Sequence, residues 1–266
     1  MANKAKITAG IDIGSVATKC VLVKEARVIA SNLGKTGFDV EKSTIDIFYD
    51  TLKKAKISKS KIGTVVSTGY GRRTFKEADR TITEVSAAGY GAYILTGRKN
   101  CLVIDVGGQD TKIININKTG RITDFLMNDK CAAGTGRFLE LMVDVLETDL
   151  EGLSNLALKS RKPVTINSTC SVFAESEAVS LIAHSVKRED IAAGLFDAIA
   201  TRINNMIKQA HSSNPIVFSG GGAKSSALKK SLERITKREI TILDNPQFVA
   251  AYGAALLDSG SLPRTS

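Results

Sequence analysis

One short pattern occurs twice in this chain, and it constrains the fold more than any other feature. Gly10-Ile11-Asp12-Ile13-Gly14-Ser15-Val16-Ala17-Thr18-Lys19 and Leu102-Val103-Ile104-Asp105-Val106-Gly107-Gly108-Gln109-Asp110-Thr111-Lys112 both read strand, Asp-x-Gly turn, Thr-Lys, strand. The flanking segments repeat as well. Apolar Ile7 to Ile13, a tight turn at Gly14-Ser15, Cys20 to Val23 and then Arg27 to Ser31 predict a three-stranded meander. Cys101 to Val106, a turn at Gly107-Gly108, Thr111 to Asn117 and Arg121 to Met127 predict it again. A self-similarity at a spacing of about 90 residues predicts two structurally related lobes. The expected division is residues 1–98 as an N-terminal nucleotide-binding lobe and 99–266 as a second one, the C-terminal helix packing back toward the first.

Between the repeats the apolar spacing of Ile45, Ile47, Phe48 and Leu52 predicts a helix over Ser43 to Ala55. A strand is expected at Lys61 to Ser67, running into Thr68-Gly69-Tyr70-Gly71-Arg72, and a small-residue helix at Ser86 to Leu95. Beyond the second repeat the reading is a helix at Gly136 to Glu147, a polar connection, and a strand at Val164 to Asn167. Helices follow at Phe173 to His184 and Asp190 to Ala210. A last strand, Pro215 to Ser219, enters Gly220-Gly221-Gly222-Ala223-Lys224, and an Ala-rich helix spans Phe248 to Asp258.

An Asp-x-Gly turn sets a carboxylate at a strand end beside backbone N–H groups that no side chain shields. Such a turn suits phosphate oxygens, with the Asp holding Mg²⁺ through water. Asp12 and Asp105 are therefore the candidate catalytic carboxylates, and Gln109 the candidate for positioning the attacking water. Gly14, Ser15, Thr18, Lys19, Gly107 and Gly108 form the candidate phosphate contacts, with Lys19 as a point charge. Gly220, Gly221, Gly222 and Lys224, ahead of a helix start, suit a flat base or ribose. Taken singly, each Asp-x-Gly would read as an ordinary hairpin; two matched copies with a late triple glycine read as a nucleotide site. Neither the P-loop spacing nor a Rossmann Gly-x-Gly-x-x-Gly follows a first strand.

Charge and cysteines narrow the class. There are 37 Lys and Arg against 27 Asp and Glu, a formal net charge of +10. The basic residues are dispersed, aromatics are 5% and Trp is absent, which argues against a base-stacking surface and so against nucleic acid. No apolar run has the length of a membrane span and nothing near Met1 reads as a signal peptide, so the expectation is a cytoplasmic chain with no membrane partner. Of four cysteines, Cys20 and Cys101 sit in apolar runs and read as buried strand residues. Cys131 and Cys170 lie in polar turns rich in Gly, Ser or Thr, an unusual place for a packing cysteine.

Two phosphate hairpins and a late adenosine turn resemble, over essentially the whole chain, the superfamily of actin, Hsp70-type chaperones and sugar kinases. The implied fold is α/β, a two-lobed actin/Hsp70/sugar-kinase-like (ribonuclease H-like) fold with duplicated lobes. Within it, Asn128-Asp129-Lys130-Cys131-Ala132-Ala133-Gly134-Thr135-Gly136, then Arg137-Phe138-Leu139-Glu140, is distinctive. So is Asn167-Ser168-Thr169-Cys170-Ser171-Val172-Phe173-Ala174-Glu175-Ser176-Glu177. With Val106-Gly107-Gly108-Gln109-Asp110 and Thr68-Gly69-Tyr70-Gly71-Arg72, these are similar to the activator ATPases (component A) of (R)-2-hydroxyacyl-CoA dehydratases, the BadF/BadG/BcrA/BcrD-type ATPases. One departure is Glu84-Val85-Ser86-Ala87-Ala88, where relatives often carry a His.

That resemblance implies ATP/ADP, Mg²⁺ and a [4Fe–4S] cluster. Four thiolates hold such a cluster, and one chain offers two cysteines in unusual settings, so the implied assembly is a homodimer with one cluster ligated by Cys131 and Cys170 of each chain. Gly134, Thr135 and Gly136, at the start of the helix that follows Cys131, join the implied cofactor-binding set. The implied activity is ATP-dependent transfer of one electron from reduced ferredoxin or flavodoxin to a 2-hydroxyacyl-CoA dehydratase. Two other readings compete: a small-molecule (sugar or acyl-phosphate) kinase of the same superfamily, and an actin-like or chaperone-type nucleotide switch. A kinase gives no reason for Cys131 and Cys170, and a short chain without inserted polymer-contact segments argues against the switch.

Overall fold

A strand whose residues are buried on both sides must be covered on both faces, and the first strand is of that kind. In the computed structural model, which describes residues 6–166 and 170–257, β1 (Ile7–Ile13) is buried from Thr8 onward. It pairs antiparallel with β2 (Ala17–Lys24), which pairs antiparallel with β3 (Arg27–Lys35). On its other edge β1 runs parallel to β4 (Ile62–Thr68), and β4 to β5 (Arg80–Thr81). The sheet order is β3-β2-β1-β4-β5.

The period of two then divides the side chains between two cores. Cys20 and Leu22 pack with Ile11, Ile47, Phe48 and Leu52, under helix α1 (Val40–Ala55). Val21 and Val23 face the other way, onto Tyr90 of α2 (Glu84–Leu95) and onto Ala251 and Tyr252 of α8 (Val249–Leu257). Helices α2 and α8 touch backbone to backbone: a Cβ on Gly253 would lie 1.9 Å from the Ala87 carbonyl. Asp39 and Thr83 cap α1 and α2 by accepting the amides of Lys42 and Ser86, which starts both helices earlier than apolar spacing predicts.

The second sheet repeats the first. Strands β6 (Cys101–Val106), β7 (Thr111–Ile116), β8 (Ile122–Asn128), β9 (Ile216–Gly220) and β10 (Ile240–Ile242) stand in the order β10-β9-β6-β7-β8. Here β6 takes the central place of β1 and runs parallel to β9 as β1 does to β4. Helices α3 (Gly136–Val145), α4 (Leu150–Lys159), α5 (Ser171–Ala183), α6 (Arg188–Gln209) and α7 (Ser226–Thr236) belong with this sheet. They share one apolar cluster with it that includes Leu102, Ile104, Phe138, Met142, Phe196 and Phe218.

The chain separates into two compact units. Residues 1–100, 116–122 and 243–266 form one, and residues 101–115 and 123–242 the other. Several elements differ from the sequence reading, the short edge strand β5 among them. The polar connection after α3 contains α4, whose Asp149 accepts the Gly152 amide and whose Leu153 is buried. The strand expected at Val164 to Asn167 does not form over Val164–Ile166: the Val164 amide donates to the Asp190 carbonyl and Ile166 enters the core beneath α6, so these β-branched residues cover a helix. Asn167 lies outside the described residues. Strand β9 is not the last, since β10 follows it at the sheet edge.

Candidate functional site

The hairpin between β1 and β2 is closed by the Gly14 amide donating to the Ala17 carbonyl at 3.2 Å. Beneath it, Thr36 donates its hydroxyl to the Gly14 carbonyl at 2.7 Å, and the wholly buried Thr18 donates to Thr36 at 3.0 Å. Thr18 therefore shapes the turn from below, while Ser15 stands exposed on it. Cross-strand register puts Asp12 opposite Lys19, and Lys19 Nζ reaches Asp12 Oδ2 at 2.9 Å. The parallel register puts Asp12 beside Thr68. Asp12 is 3% exposed and Thr68 0%, yet Asp12 Oδ1 and Thr68 Oγ1 have no hydrogen-bond partner among the described residues.

The second hairpin has the same backbone. The Gly107 amide donates to the Asp110 carbonyl at 2.9 Å, and Asp105 lies beside Ser219 of the parallel strand. Here the side chains differ. Ser219 donates to Asp105 Oδ1 at 2.8 Å. Lys112, 1% exposed, sits 2.7 Å from Asp110 Oδ2 and 3.7 Å from Asp105 Oδ2. Gln109 projects from the turn as an exposed side chain.

Each parallel strand ends in a matching glycine turn. Gly69 has φ +86° and a Cβ there would lie 2.7 Å from Asp12 Oδ1; Gly220 has φ +83° and a Cβ there would lie 2.8 Å from Asp105 Oδ1. A side chain at either place would be strained and would strike the carboxylate. After Gly220 the chain makes a short 3₁₀ turn, Gly221–Lys224, with Gly221 and Lys224 exposed and Ala223 buried, before Ser225 caps α7.

The segment that carries Cys131 is tied to the second turn. The amides of Gly136 and Arg137 donate to the carbonyls of Gly107 (2.9 Å) and Gly108 (2.7 Å), and Thr111 Oγ1 donates to the Gly134 carbonyl at 2.6 Å. Thr135 is buried and turns its hydroxyl onto the Ala132 carbonyl, while Asn128 Nδ2 holds the Cys131 carbonyl at 3.0 Å. Gly134 and Gly136 thus tie the second hairpin to the start of α3, while Thr135 braces its own segment through Ala132. Cys131 and Cys170 are half-buried free thiols, Cys170 at the N-cap of α5. Cys20 and Cys101 are buried, and desolvation pushes the Cys20 thiol up to about 12, against a smaller lowering by a hydrogen bond with Thr51.

Duplicated Asp-x-Gly hairpins on duplicated sheets define a superfamily; a family needs the whole chain. The profile of the BadF/BadG/BcrA/BcrD ATPase family matches residues 9–257. The chain belongs to the BadF/BadG/BcrA/BcrD ATPase family. A 2-hydroxyisocaproyl-CoA dehydratase activator from Clostridioides difficile is 38% identical over 94% of this chain and 93% of its own. The crystal structure of (R)-2-hydroxyglutaryl-CoA dehydratase component A from Acidaminococcus fermentans superposes with TM-score 0.91 at 36% identity, covering 95% of this chain and 97% of that one. An activator of the 2-hydroxyisocaproyl-CoA dehydratase from Clostridium difficile, solved with bound ADPNP, gives TM-score 0.87 at 36% identity over 98% and 99%. The fold is the two-lobed α/β fold of actin-like and sugar-kinase-like ATPases; ROK sugar kinases share it at 13% identity, and the fold alone.

Sequence reasoning missed four neighbours of the hairpin carboxylates in this BadF/BadG/BcrA/BcrD ATPase. Lys112 and Asp110 stood inside the repeat but carried no separate signal of burial. Thr68 and Ser219 become site neighbours only through parallel pairing, which a linear pattern does not reveal. Whether Mg²⁺ fits is decided by the donors. Asp12 Oδ1, a buried carboxylate oxygen that nothing else in the described chain uses, suits a hard cation held through water. For an iron–sulfur cluster, Cys131 and Cys170 give half of a four-thiolate set, and no three His, Cys, Asp or Glu among the described residues group as a metal site. No helix among them is long and apolar enough to cross a membrane.

Proposed function

We propose that this ATPase activates a 2-hydroxyacyl-CoA dehydratase by ATP-dependent delivery of a single electron, received from reduced ferredoxin or flavodoxin. The acting species is a homodimer whose two chains each give Cys131 and Cys170 to one [4Fe–4S] cluster. The observation that carries this reading is the clamp between the Gly107-Gly108 turn and the Cys131–Gly136 segment. Three hydrogen bonds join a phosphate-type turn to the segment that carries a half-buried thiol, and a kinase gives no reason for that thiol.

When bound, the cluster supplies a one-electron carrier, and Mg²⁺ neutralises phosphate charge. The rest is the work of this chain's residues. The turns that follow Gly14 and Gly107 receive phosphate oxygens, the Gly14 and Gly107 amides themselves closing the hairpins, and Lys19 adds a positive charge within reach of the first turn. Asp12 would hold a hydrated Mg²⁺ through Oδ1, the oxygen left without a partner among the described residues. Asp105, held by Ser219 and Lys112, and Gln109, free on the turn, position the attacking water. Gly220–Gly222 lie flat against the adenosine, with Lys224 beside them. Loss of the terminal phosphate changes what the Gly107-Gly108 turn holds. A nucleotide can shift the chain only by its differential affinity for two states, and the clamp carries that shift to the start of α3.

The test is purification without oxygen. The wild-type protein is expected to be brown, with about four irons per dimer. Cys131→Ser and Cys170→Ser lose the iron and the ability to activate a dehydratase but keep ADP binding. Cys20→Ser and Cys101→Ser keep the iron. A full iron content in Cys131→Ser or Cys170→Ser overturns the ligand assignment. Removal of iron by bathophenanthroline is expected to be faster with ADPNP than with ADP, and equal rates with both nucleotides bound would break the proposed link.

A further inference from the structure

The two carboxylates of the duplicated hairpins have the same neighbour in the adjoining parallel strand, a hydroxyl. Asp105 pairs with Ser219, and the serine donates to Asp105 Oδ1 at 2.8 Å. Asp12 pairs in the same register with Thr68, and no such bond forms. Both atoms are deeply buried, Asp12 at 3% and Thr68 at 0% exposure. A buried acceptor and a buried donor side by side, each lacking a partner, are costly unless a third group serves both. The turn next to them is a glycine turn: no side chain stands against Asp12 Oδ1, and φ +86° disfavours any other residue there.

Resting on the reading of Asp12 as the seat of a hydrated cation, we propose that Thr68 is a positioning residue for that cation. One water of the hydrated Mg²⁺ would donate one hydrogen to Asp12 Oδ1 and the other to Thr68 Oγ1, which as a hydroxyl also accepts. Mg²⁺ keeps several of its waters in protein sites, so a protein fixes it largely by fixing those waters. The second hairpin performs no such task, because Ser219 has already taken the corresponding carboxylate oxygen. Unit by unit, the duplication thus assigns metal-water binding to Asp12 with Thr68, and leaves Asp105 for water activation.

The experiment uses the full chain loaded with ADP and titrated with Mn²⁺, free Mn²⁺ being read by electron paramagnetic resonance. Thr68→Val removes the hydroxyl at nearly constant volume. It is expected to weaken Mn²⁺ about fivefold, the worth of one hydrogen bond, with ADP affinity in EDTA unchanged. Thr68→Ser keeps the hydroxyl and is expected to match wild type. Asp12→Asn is expected to weaken Mn²⁺ more than Thr68→Val does. Wild-type Mn²⁺ affinity in Thr68→Val overturns the role of Thr68, as does a loss of ADP affinity in EDTA or a Thr68→Ser variant as weak as Thr68→Val. Wild-type affinity in Asp12→Asn instead overturns the reading of Asp12 on which the proposal rests.

Discussion

Asp12 meets one lysine and an unused oxygen, whereas Asp105 meets a lysine, a serine hydroxyl and, through Lys112, a second carboxylate. The backbones beneath them match residue for residue: Gly14 bonds to Ala17 as Gly107 bonds to Asp110, and Gly69 stands by Asp12 as Gly220 stands by Asp105. A single substitution at the aligned position explains much of the divergence. Where the first hairpin has Ala17 the second has Asp110, and the added charge draws Lys112 fully inside. The difference teaches that duplication fixes the turn and leaves its chemistry free. In the first copy one carboxylate oxygen has no partner among the described residues, and in the second a serine holds the corresponding oxygen.

The largest effect should come from the lysines. Lys112 is 1% exposed between two buried carboxylates, while Lys19 is 17% exposed against one. Lys112→Met strands two buried charges and is expected to cost about 3–5 kcal/mol, read as a fall in the urea midpoint. Lys19→Met is expected to cost about 1–2 kcal/mol of stability, because Lys19 is partly exposed and its loss strands one carboxylate rather than two, and to weaken nucleotide binding. The double variant Asp110→Asn with Lys112→Met should recover part of the loss by removing one stranded charge. Equal costs for the two lysine variants would break the asymmetry.

Next in size is the division of labour between the carboxylates. Asp105→Asn is expected to lower ATP turnover about a hundredfold, the usual weight of a positioned acid–base group, with ADP affinity changed by no more than a few-fold. Asp12→Asn should act instead through the metal dependence of nucleotide binding. Steady-state turnover and isothermal titration with and without Mg²⁺ separate the two. Normal turnover in Asp105→Asn would sink the assignment of that residue.

Much of this architecture was legible in the sequence, because it is written in local patterns. Asp-x-Gly turns between apolar runs placed β1, β2, β6 and β7 to within a few residues, since a turn and a period of two are set by neighbours in the chain. Val164-Thr165-Ile166 failed for the opposite reason: β propensity there yields to the helix lying over it. The site was half legible. Asp12, Lys19, Asp105 and the glycines lie within the motifs. Thr68 and Ser219 join through parallel pairing across 50 or more residues, and only the fold brings them in. Cys131 stood out by its setting, but its bonds to the Gly107-Gly108 turn needed coordinates.

The smallest effects provide the finest test of the comparison, because they concern two hydroxyls in the same register. Ser219 donates to Asp105 Oδ1, and Thr68 donates to nothing in the described chain. Ser219→Ala therefore leaves a buried carboxylate oxygen without its donor and should cost about 1–2 kcal/mol. Thr68→Val exchanges a buried unpaired hydroxyl for a methyl group of the same shape. Its cost in metal-free protein should be about zero, or slightly negative, since no hydrogen bond is lost and apolar surface is gained. The measurement is urea unfolding of both variants in EDTA, where no cation-bound water contributes. A loss in Thr68→Val as large as that in Ser219→Ala would mean that Thr68 is already bonded within the fold. The two hairpins would then be alike in chemistry as well as in backbone.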